Sequence, residues 1–452
     1  MLIRISVENF KSFDQPGELA MVASGKIRVK PEHRIMSGET PLLKHAGVWG
    51  ANAAGKSNLA SVFAFIQKTL ADGLSPASAG DFCRSRKENE SRTSVFEVQF
   101  SAGGSVYAYG FAAILSQQRI TSEWLHRLLP QGGSHCLFDR DDGDLPVIGD
   151  GVPLSDAEKC RFDVYAEDFA GERSGLFLAE MNRGKRLDPD SQLFFFREVY
   201  GWIMNNIIVM WPDGGRAGTG SYYDGVSLEE VCRLIRSFDT GISDLKIRKI
   251  STEEMRRTIP AHEMKEIFDR LLTRSKDANL PELQTTWRSE NGFFNIRFHA
   301  GDPCPEITVL VLRQGESPFD FAFGELSAGT RKLFDLADLL LAQRPDTVFV
   351  VDELERSLHP HLIERFLRLF REAQSGTGRQ LIFTTHEAAI LAQDLLRRDE
   401  IWFVERGADL ASTIYSLDRF TERYDGKLAA AYLAGRYGAV PVFGEYSFGK
   451  GG

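Results

Sequence analysis

No stretch of the chain approaches the ~20 consecutive apolar residues of a membrane span. The opening residues Met1-Leu2-Ile3-Arg4-Ile5-Ser6 also lack the long apolar core of a secretory leader. Membrane insertion and export are therefore not expected, and a cytoplasmic location is. Cysteine is scarce: Cys83, Cys136, Cys160, Cys232 and Cys304 are scattered, odd in number and never at zinc-site spacing. That argues against a disulfide framework and for free thiols in a reducing compartment. An excess of positive charge is missing too. Lys and Arg number 54 against 63 Asp and Glu, a formal net charge of −9. A surface that is basic overall is excluded, although a local basic groove is not. Sustained heptads are absent, which argues against a long coiled coil. What remains is 452 residues, 43% hydrophobic and 26% charged, enough for one large core or two ordinary ones.

The most informative stretch is Gly50-Ala51-Asn52-Ala53-Ala54-Gly55-Lys56-Ser57. It fits the P-loop pattern of Gly, four residues, then Gly-Lys-Ser. An apolar run over 46–49 predicts a strand before it, and apolar periodicity over 59–70 predicts a helix after it. Backbone N–H groups of such a loop close around phosphate oxygens, helped by the positive end of the helix. Lys56 would reach the β- and γ-phosphates and the Ser57 hydroxyl would bind Mg²⁺. Gly50, Asn52, Ala53, Ala54, Gly55, Lys56, Ser57 and Asn58 are the expected nucleotide-binding residues.

Alternation over 2–8 predicts a half-buried strand, closed by Asn9-Phe10-Lys11-Ser12-Phe13. Residues 14–45 read as loop with short strands, and 71–92 as an exposed connection. Strands are expected at 95–100 and 106–114, joined by a Gly103-Gly104 turn, then at 120–129 and 136–139. The first lobe, residues 1–190, therefore reads as a mixed sheet with an antiparallel arm. Asp141-Asp142-Gly143-Asp144 lacks the rest of a calcium loop and reads as a solvated turn. Residues 191–290 read as a mainly helical insertion, with helices at 193–210, 228–238 and 261–274. Lys246, Arg248, Lys249, Arg256 and Arg257 form a local basic concentration, read as a solvated helix face, with an acidic or nucleic-acid partner as the alternative.

The third segment, 291–452, carries more chemistry. Strands are expected at 293–298 and 307–312, and Ser327 opens a strongly periodic helix. Thr347 to Val351 is an apolar run without alternation, as in a strand buried on both faces. It ends in Asp352-Glu353, a Walker B pattern. Asp352 would hold Mg²⁺, and Glu353 would orient or deprotonate the attacking water. A second such run, 380–385, ends in His386, placed to sense the γ-phosphate. The last strands are expected at 401–404 and 413–417.

Taken together, a Walker A loop near the start, Leu326-Ser327-Ala328-Gly329-Thr330, Asp352-Glu353, Ser357-Leu358-His359-Pro360 and Thr384-Thr385-His386 resemble an ABC-type ATPase of the SMC, RecF and OLD group. More closely, the chain resembles standalone bacterial AAA family ATP-binding proteins linked to abortive infection and anti-phage defence. The opening Ile3 to Phe13 and the stretch Tyr432 to Pro441 are typical of that group. The implied fold is an α/β P-loop NTPase of ABC type. The resemblance implies ATP and Mg²⁺ as cofactors and a homodimer, or higher homo-oligomer, that sandwiches two ATP molecules. Ser327, Ala328, Gly329 and Thr330 of one subunit would meet the γ-phosphate held by the other. Ser357 would lie in the D-loop, His386 would be the switch histidine and Lys11 would approach the nucleotide. Glu180 or Asn182 lies where the Q-loop residue should fall. Ala328 and Ala53 depart from common glycines, so the loop geometry should differ slightly there.

The resulting expectation is a regulatory ATPase of a defence system that controls a separately encoded, nuclease-like effector. A RecF- or SMC-like DNA-repair ATPase is the alternative; the acidic balance and missing coiled coil count against it. A transporter subunit is a third reading, opposed by the large insertion and the Asn9 to Phe13 opening.

Overall fold

The computed structural model describes residues 1–212, 216–217, 227–265, 267, 282–289, 291–299, 305–342, 344–373, 376–392, 394–420 and 428–441. The chain divides into two compact units. One comprises Met1–Met210, Arg344–Leu354 and Gly376–Gly452, the other Trp211–Gln343 and Glu355–Ser375.

The first unit is built on two large sheets and a two-stranded one, Arg34–Ser37 with Thr40–Leu43. Its central sheet has the order Ile207–Met210, Val348–Val351, Gln380–Thr385, His45–Trp49, Ile401–Arg406 and Ser412–Ser416. The first five strands are parallel and the last pair is antiparallel. Every residue of His45–Trp49, Val348–Val351 and Gln380–Thr385 is buried. That accounts for their uninterrupted apolar runs, since a parallel strand is covered on both faces. The second sheet is an antiparallel arm in the order Val147–Ile148, Ser134–Asp141, Arg119–Leu128, Ser105–Ile114, Ser94–Ala102, Leu2–Glu8 and Gly17–Ala20. Gly103 and Gly104, both with positive φ, make its hairpin turn.

The helix Lys56–Asp72 links the two sheets. Its Phe65 lies 4.7 Å from Phe96 and 4.9 Å from Phe10, while Gln67 donates to the carbonyls of Ile203 and Ile207. Gln380 joins the sheets at their other side. It accepts from Leu2 N–H and donates to the carbonyls of Leu2 and Leu43. The turn at Asp141 to Asp144 ties Asp142 to Arg119 and is otherwise exposed.

The second unit carries an antiparallel sheet in the order Arg216–Ala217, Glu282–Ser289, Gly292–His299, Glu306–Gln314 and Ile242–Ile250. Met255, Ile259, Trp287, Phe294, Ile296, Ile307, Val309 and Val311 form its apolar core. The helices Leu228–Arg236, Thr252–Thr258, Ala328–Leu341 and Pro360–Glu372 belong to the same unit.

Three expectations change. The segment 191–290 is divided between helix and strand rather than mainly helical. The helix Phe195–Asn206 stops at Ile207, and Ile207–Met210 joins the central sheet beside Val348–Val351. A helical apolar run and a buried strand look alike over so few residues, and only pairing separates them. Ile242–Ile250 is likewise a strand, so Lys246, Arg248 and Lys249 do not share a helix face. They face carboxylates instead: Lys246 pairs with Asp244 and Asp320, Arg248 with Glu254 at 2.8 Å and Lys249 with Glu306. Arg257 pairs with Glu253. Finally, the three successive segments 1–190, 191–290 and 291–452 are not the units of the fold. The Walker B strand belongs to the unit that holds the P-loop, and the helices on either side of it belong to the other. Most of the predicted helix 261–274 and the end of the chain fall outside the described residues.

Candidate functional site

The strand His45–Trp49 runs directly into the loop at Gly50, and the helix begins at Lys56. Two features fix the loop. Gly50 packs against the carbonyl of Val404 so closely that a Cβ would lie 2.4 Å from its oxygen. Gly55 has φ +113, and a Cβ there would meet the hydroxyls of Ser412 and Ser12 at 2.5 and 2.6 Å. Both positions therefore exclude side chains on steric grounds. Ser412 Oγ in turn donates to the Ala54 carbonyl, and Asn58 Nδ2 donates to Ser12 Oγ at 2.7 Å. Ala53, which stands where a glycine is common, has φ +61, the left-handed region that costs a non-glycine residue roughly 1–3 kcal/mol. No side chain caps the helix at Gly55, so its first N–H groups point into the loop, where phosphate oxygens fit. Asn52, Ala53 and Ser57 are exposed on that side.

Lys56 is buried, and its Nζ donates to the carbonyls of Gly50 at 2.9 Å and Ala51 at 3.0 Å. His386 Nδ1 lies 3.2 Å from the same amine and 3.1 Å from the Gly50 carbonyl. The histidine expected from sequence thus sits on the P-loop lysine. The topology explains why. Gln380–Thr385 lies between the P-loop strand and the Walker B strand, so its C-terminal end serves both.

On the Walker B side, Asp352 is buried and its Oδ1 accepts from Thr384 Oγ1 at 2.6 Å. The same hydroxyl accepts from Glu353 N–H at 2.9 Å. Glu353 has φ +50, so the turn that follows Asp352 redirects its side chain under backbone strain. Thr384 therefore holds the Asp352 carboxylate and the backbone of Glu353, a role not assigned from sequence. The signal was present, because two threonines end an otherwise apolar buried strand. Ser12 and Ser412 carried no such signal. Ser57 and Asp352 are the residues suited to Mg²⁺, as hydroxyl and carboxylate oxygen donors.

Lys11 also has positive φ, +50. Its N–H donates to the Asp81 carbonyl, and its Nζ lies 3.7 Å from the Asp81 carboxylate. Asn182 is committed to structure, donating to the carbonyls of Leu178 and Phe196, and Glu180 pairs with Lys185 and Arg183.

In the other unit, Ser327 caps the helix Ala328–Leu341, its Oγ accepting from Thr330 N–H at 3.1 Å. Ser327 and Ala328 are exposed, which leaves a helix N-terminus open to an anion. Ala328 lies within the regular helix and bears none of the strain that Ala53 does. Gly329 abuts Ser357: a Cβ would stand 2.5 Å from the Ser357 carbonyl oxygen. Ser357 itself has φ +63. The signature and D-loop residues Gly329 and Ser357, 28 positions apart in sequence, are therefore brought together. Arg288 holds the same helix from within, paired with Asp335 at 3.1 Å and with Asp338.

Residues 238–392 match the family described as "AAA domain, putative AbiEii toxin, Type IV TA system". That span includes the signature, Walker B, D-loop and His386, but not the P-loop. Solved structures similar to the chain include the SMC head domain from Thermotoga maritima, at 14% identity over 92% of this chain and 98% of that one, with a TM-score of 0.36. An SMC head bound to the C-winged helix domain of ScpA gives 15% identity, 92% and 97% coverage and a TM-score of 0.36. An Smc head with an extended coiled coil, bound to the C-terminal domain of ScpA and derived from Pyrococcus furiosus, gives 12%, 92%, 96% and 0.33. No curated protein matches the chain. The fold is a mixed α/β architecture with several sheets, and the matched family is described as an AAA domain.

Proposed function

We propose that this chain binds and hydrolyses ATP with Mg²⁺ as an ABC-type ATPase, and that two copies close head-to-tail around two nucleotides. The observation that carries the reading is the convergence of Lys56, His386 and the Thr384-held pair Asp352 and Glu353 at one edge of a parallel sheet. Lys56 and the P-loop N–H groups bind the phosphates. Ser57 and Asp352 would hold Mg²⁺, which would supply positive charge against the transferred phosphoryl group. Glu353 orients the attacking water and accepts its proton, and His386 contacts the γ-phosphate. The exposed N-terminus at Ser327 to Thr330, with Ser357 against it, is the surface that meets the nucleotide of the second copy. The family match supports a defence role, in which dimer closure and reopening in a cytoplasmic protein control a separately encoded, nuclease-like effector.

The test is the solution mass of Glu353→Gln protein with and without Mg-ATP. Removing the base leaves binding intact, so ATP should convert a 50.6 kDa subunit into a dimer that persists. Adding Ser327→Arg should abolish the gain. An unchanged subunit mass in Glu353→Gln at saturating ATP, or a dimer unaffected by Ser327→Arg, would overturn the sandwich. Lys56→Ala serves as the control that loses nucleotide binding.

A further inference from the structure

The parallel sheet has a second polar cluster, at the end opposite the P-loop. His45 begins the strand that the P-loop ends, and Glu400 immediately precedes Ile401–Arg406, the strand next to it. His33 comes from the short 3₁₀ turn Pro31–His33. All three side chains are buried, with His33 and His45 at 1% and Glu400 at 0% exposure. His33 Nδ1 lies 2.8 Å from Glu400 Oε2, and His45 Nδ1 lies 3.6 Å from Glu400 Oε1. One donor atom from each residue falls within 4.8 Å of the others.

We propose that His33, His45 and Glu400 form a structural binding site for a divalent transition-metal ion of the zinc class. Two imidazoles and one carboxylate are a ligand set that zinc takes, with Zn–N and Zn–O near 2.0–2.2 Å and hence ligand atoms about 3.3 Å apart. The observed spacings bracket that value. A buried carboxylate facing two buried imidazoles also suits a cation.

The surroundings supply the outer contacts that metal ligands require. His33 presents Nδ1 to Glu400 and Nε2 to Glu32, whose carboxylate is 3.7 Å away and largely exposed. Glu400 Oε2 accepts from the backbone N–H of Arg397 at 2.7 Å, which holds the carboxylate in place. A bound ion would tie the N-terminal segment to two core strands, one of which carries the P-loop. Its position at the far end of the strands makes it structural rather than catalytic, so it stands independently of the proposed ATPase reaction.

The experiment uses tag-free full-length protein. Elemental analysis should find close to one zinc per chain. After chelation, added Co²⁺ should give the visible absorption of a tetrahedral nitrogen–oxygen site, without thiolate charge-transfer bands. Glu400→Gln, which preserves shape and removes the charge, and His45→Gln should abolish that spectrum. Glu32→Gln should weaken affinity by about tenfold or more. Chelation should lower the wild-type melting temperature and Zn²⁺ should restore it. Wild-type protein that takes up neither Zn²⁺ nor Co²⁺ would overturn the proposal, leaving a hydrogen-bonded triad. So would a Co²⁺ spectrum that carries thiolate bands or survives in a folded Glu400→Gln variant.

Discussion

Thr384→Val is the sharpest test of how the Walker B carboxylates are placed. Valine keeps the volume and β-branching that suit a buried strand, so the change removes one hydroxyl and little else. That hydroxyl donates to Asp352 Oδ1 at 2.6 Å and accepts from Glu353 N–H at 2.9 Å. A hydrogen bond to a charged group contributes about 1.5–3 kcal/mol. If about 2 kcal/mol of this restraint is used to hold the Mg²⁺ ligand and the base, kcat for Mg-ATP hydrolysis should fall about 30-fold. ATP affinity should change far less, because the P-loop contacts are untouched. The Mg²⁺ concentration for half-maximal rate should rise, since Asp352 loses its orientation. Thr384→Ser restores the hydroxyl and should recover most of the rate. The assay is steady-state phosphate release across a Mg²⁺ series, with circular dichroism to confirm folding. A folded Thr384→Val protein with wild-type kcat and wild-type Mg²⁺ dependence would refute this role.

Two further outcomes follow from geometry. Gly50→Ala places a Cβ 2.4 Å from the Val404 carbonyl oxygen, so two core strands must separate. Overpacking of that kind costs about 1–3 kcal/mol, read as a lower denaturant midpoint together with weaker ATP binding; an unchanged midpoint would show that the strands yield freely. Glu158 at the start of the helix Asp156–Asp168 accepts from Ser191 Oγ and from the N–H groups of Ser155 and Gln192, which brings its pKa down to about 2. A folded pKa below the unfolded value of 4.5 gives stability that is complete above about pH 4.5 and is lost as pH falls towards 2. Glu158→Gln should flatten that part of the pH–stability curve, and an identical acid limb in both proteins would contradict the assignment.

Short-range chemistry made much of this protein legible from its residues. The P-loop is eight consecutive residues whose glycines and lysine act through local backbone geometry, so the spacing alone located it. The runs 347–351 and 380–385 announced strands buried on both faces, because an apolar run without alternation suits little else. Ser327 was readable as the start of a helix because a serine cap and apolar periodicity act within a few turns.

Only the tertiary structure could decide what depends on strand order. It put the strand ending in Thr384 and His386 between the P-loop and Walker B strands, so that one edge holds Lys56 and Asp352 alike. It turned 207–210 and 242–250 into strands by giving them partners, where four to nine residues of apolar pattern were ambiguous. It also gathered His33, His45 and Glu400, two of them 367 residues apart, into one buried cluster. Such contacts leave no local trace, because each partner looks ordinary in its own segment. Local sequence fixes backbone preference and pattern, whereas pairing across hundreds of residues is chosen by burial and hydrogen bonding of the whole chain at once.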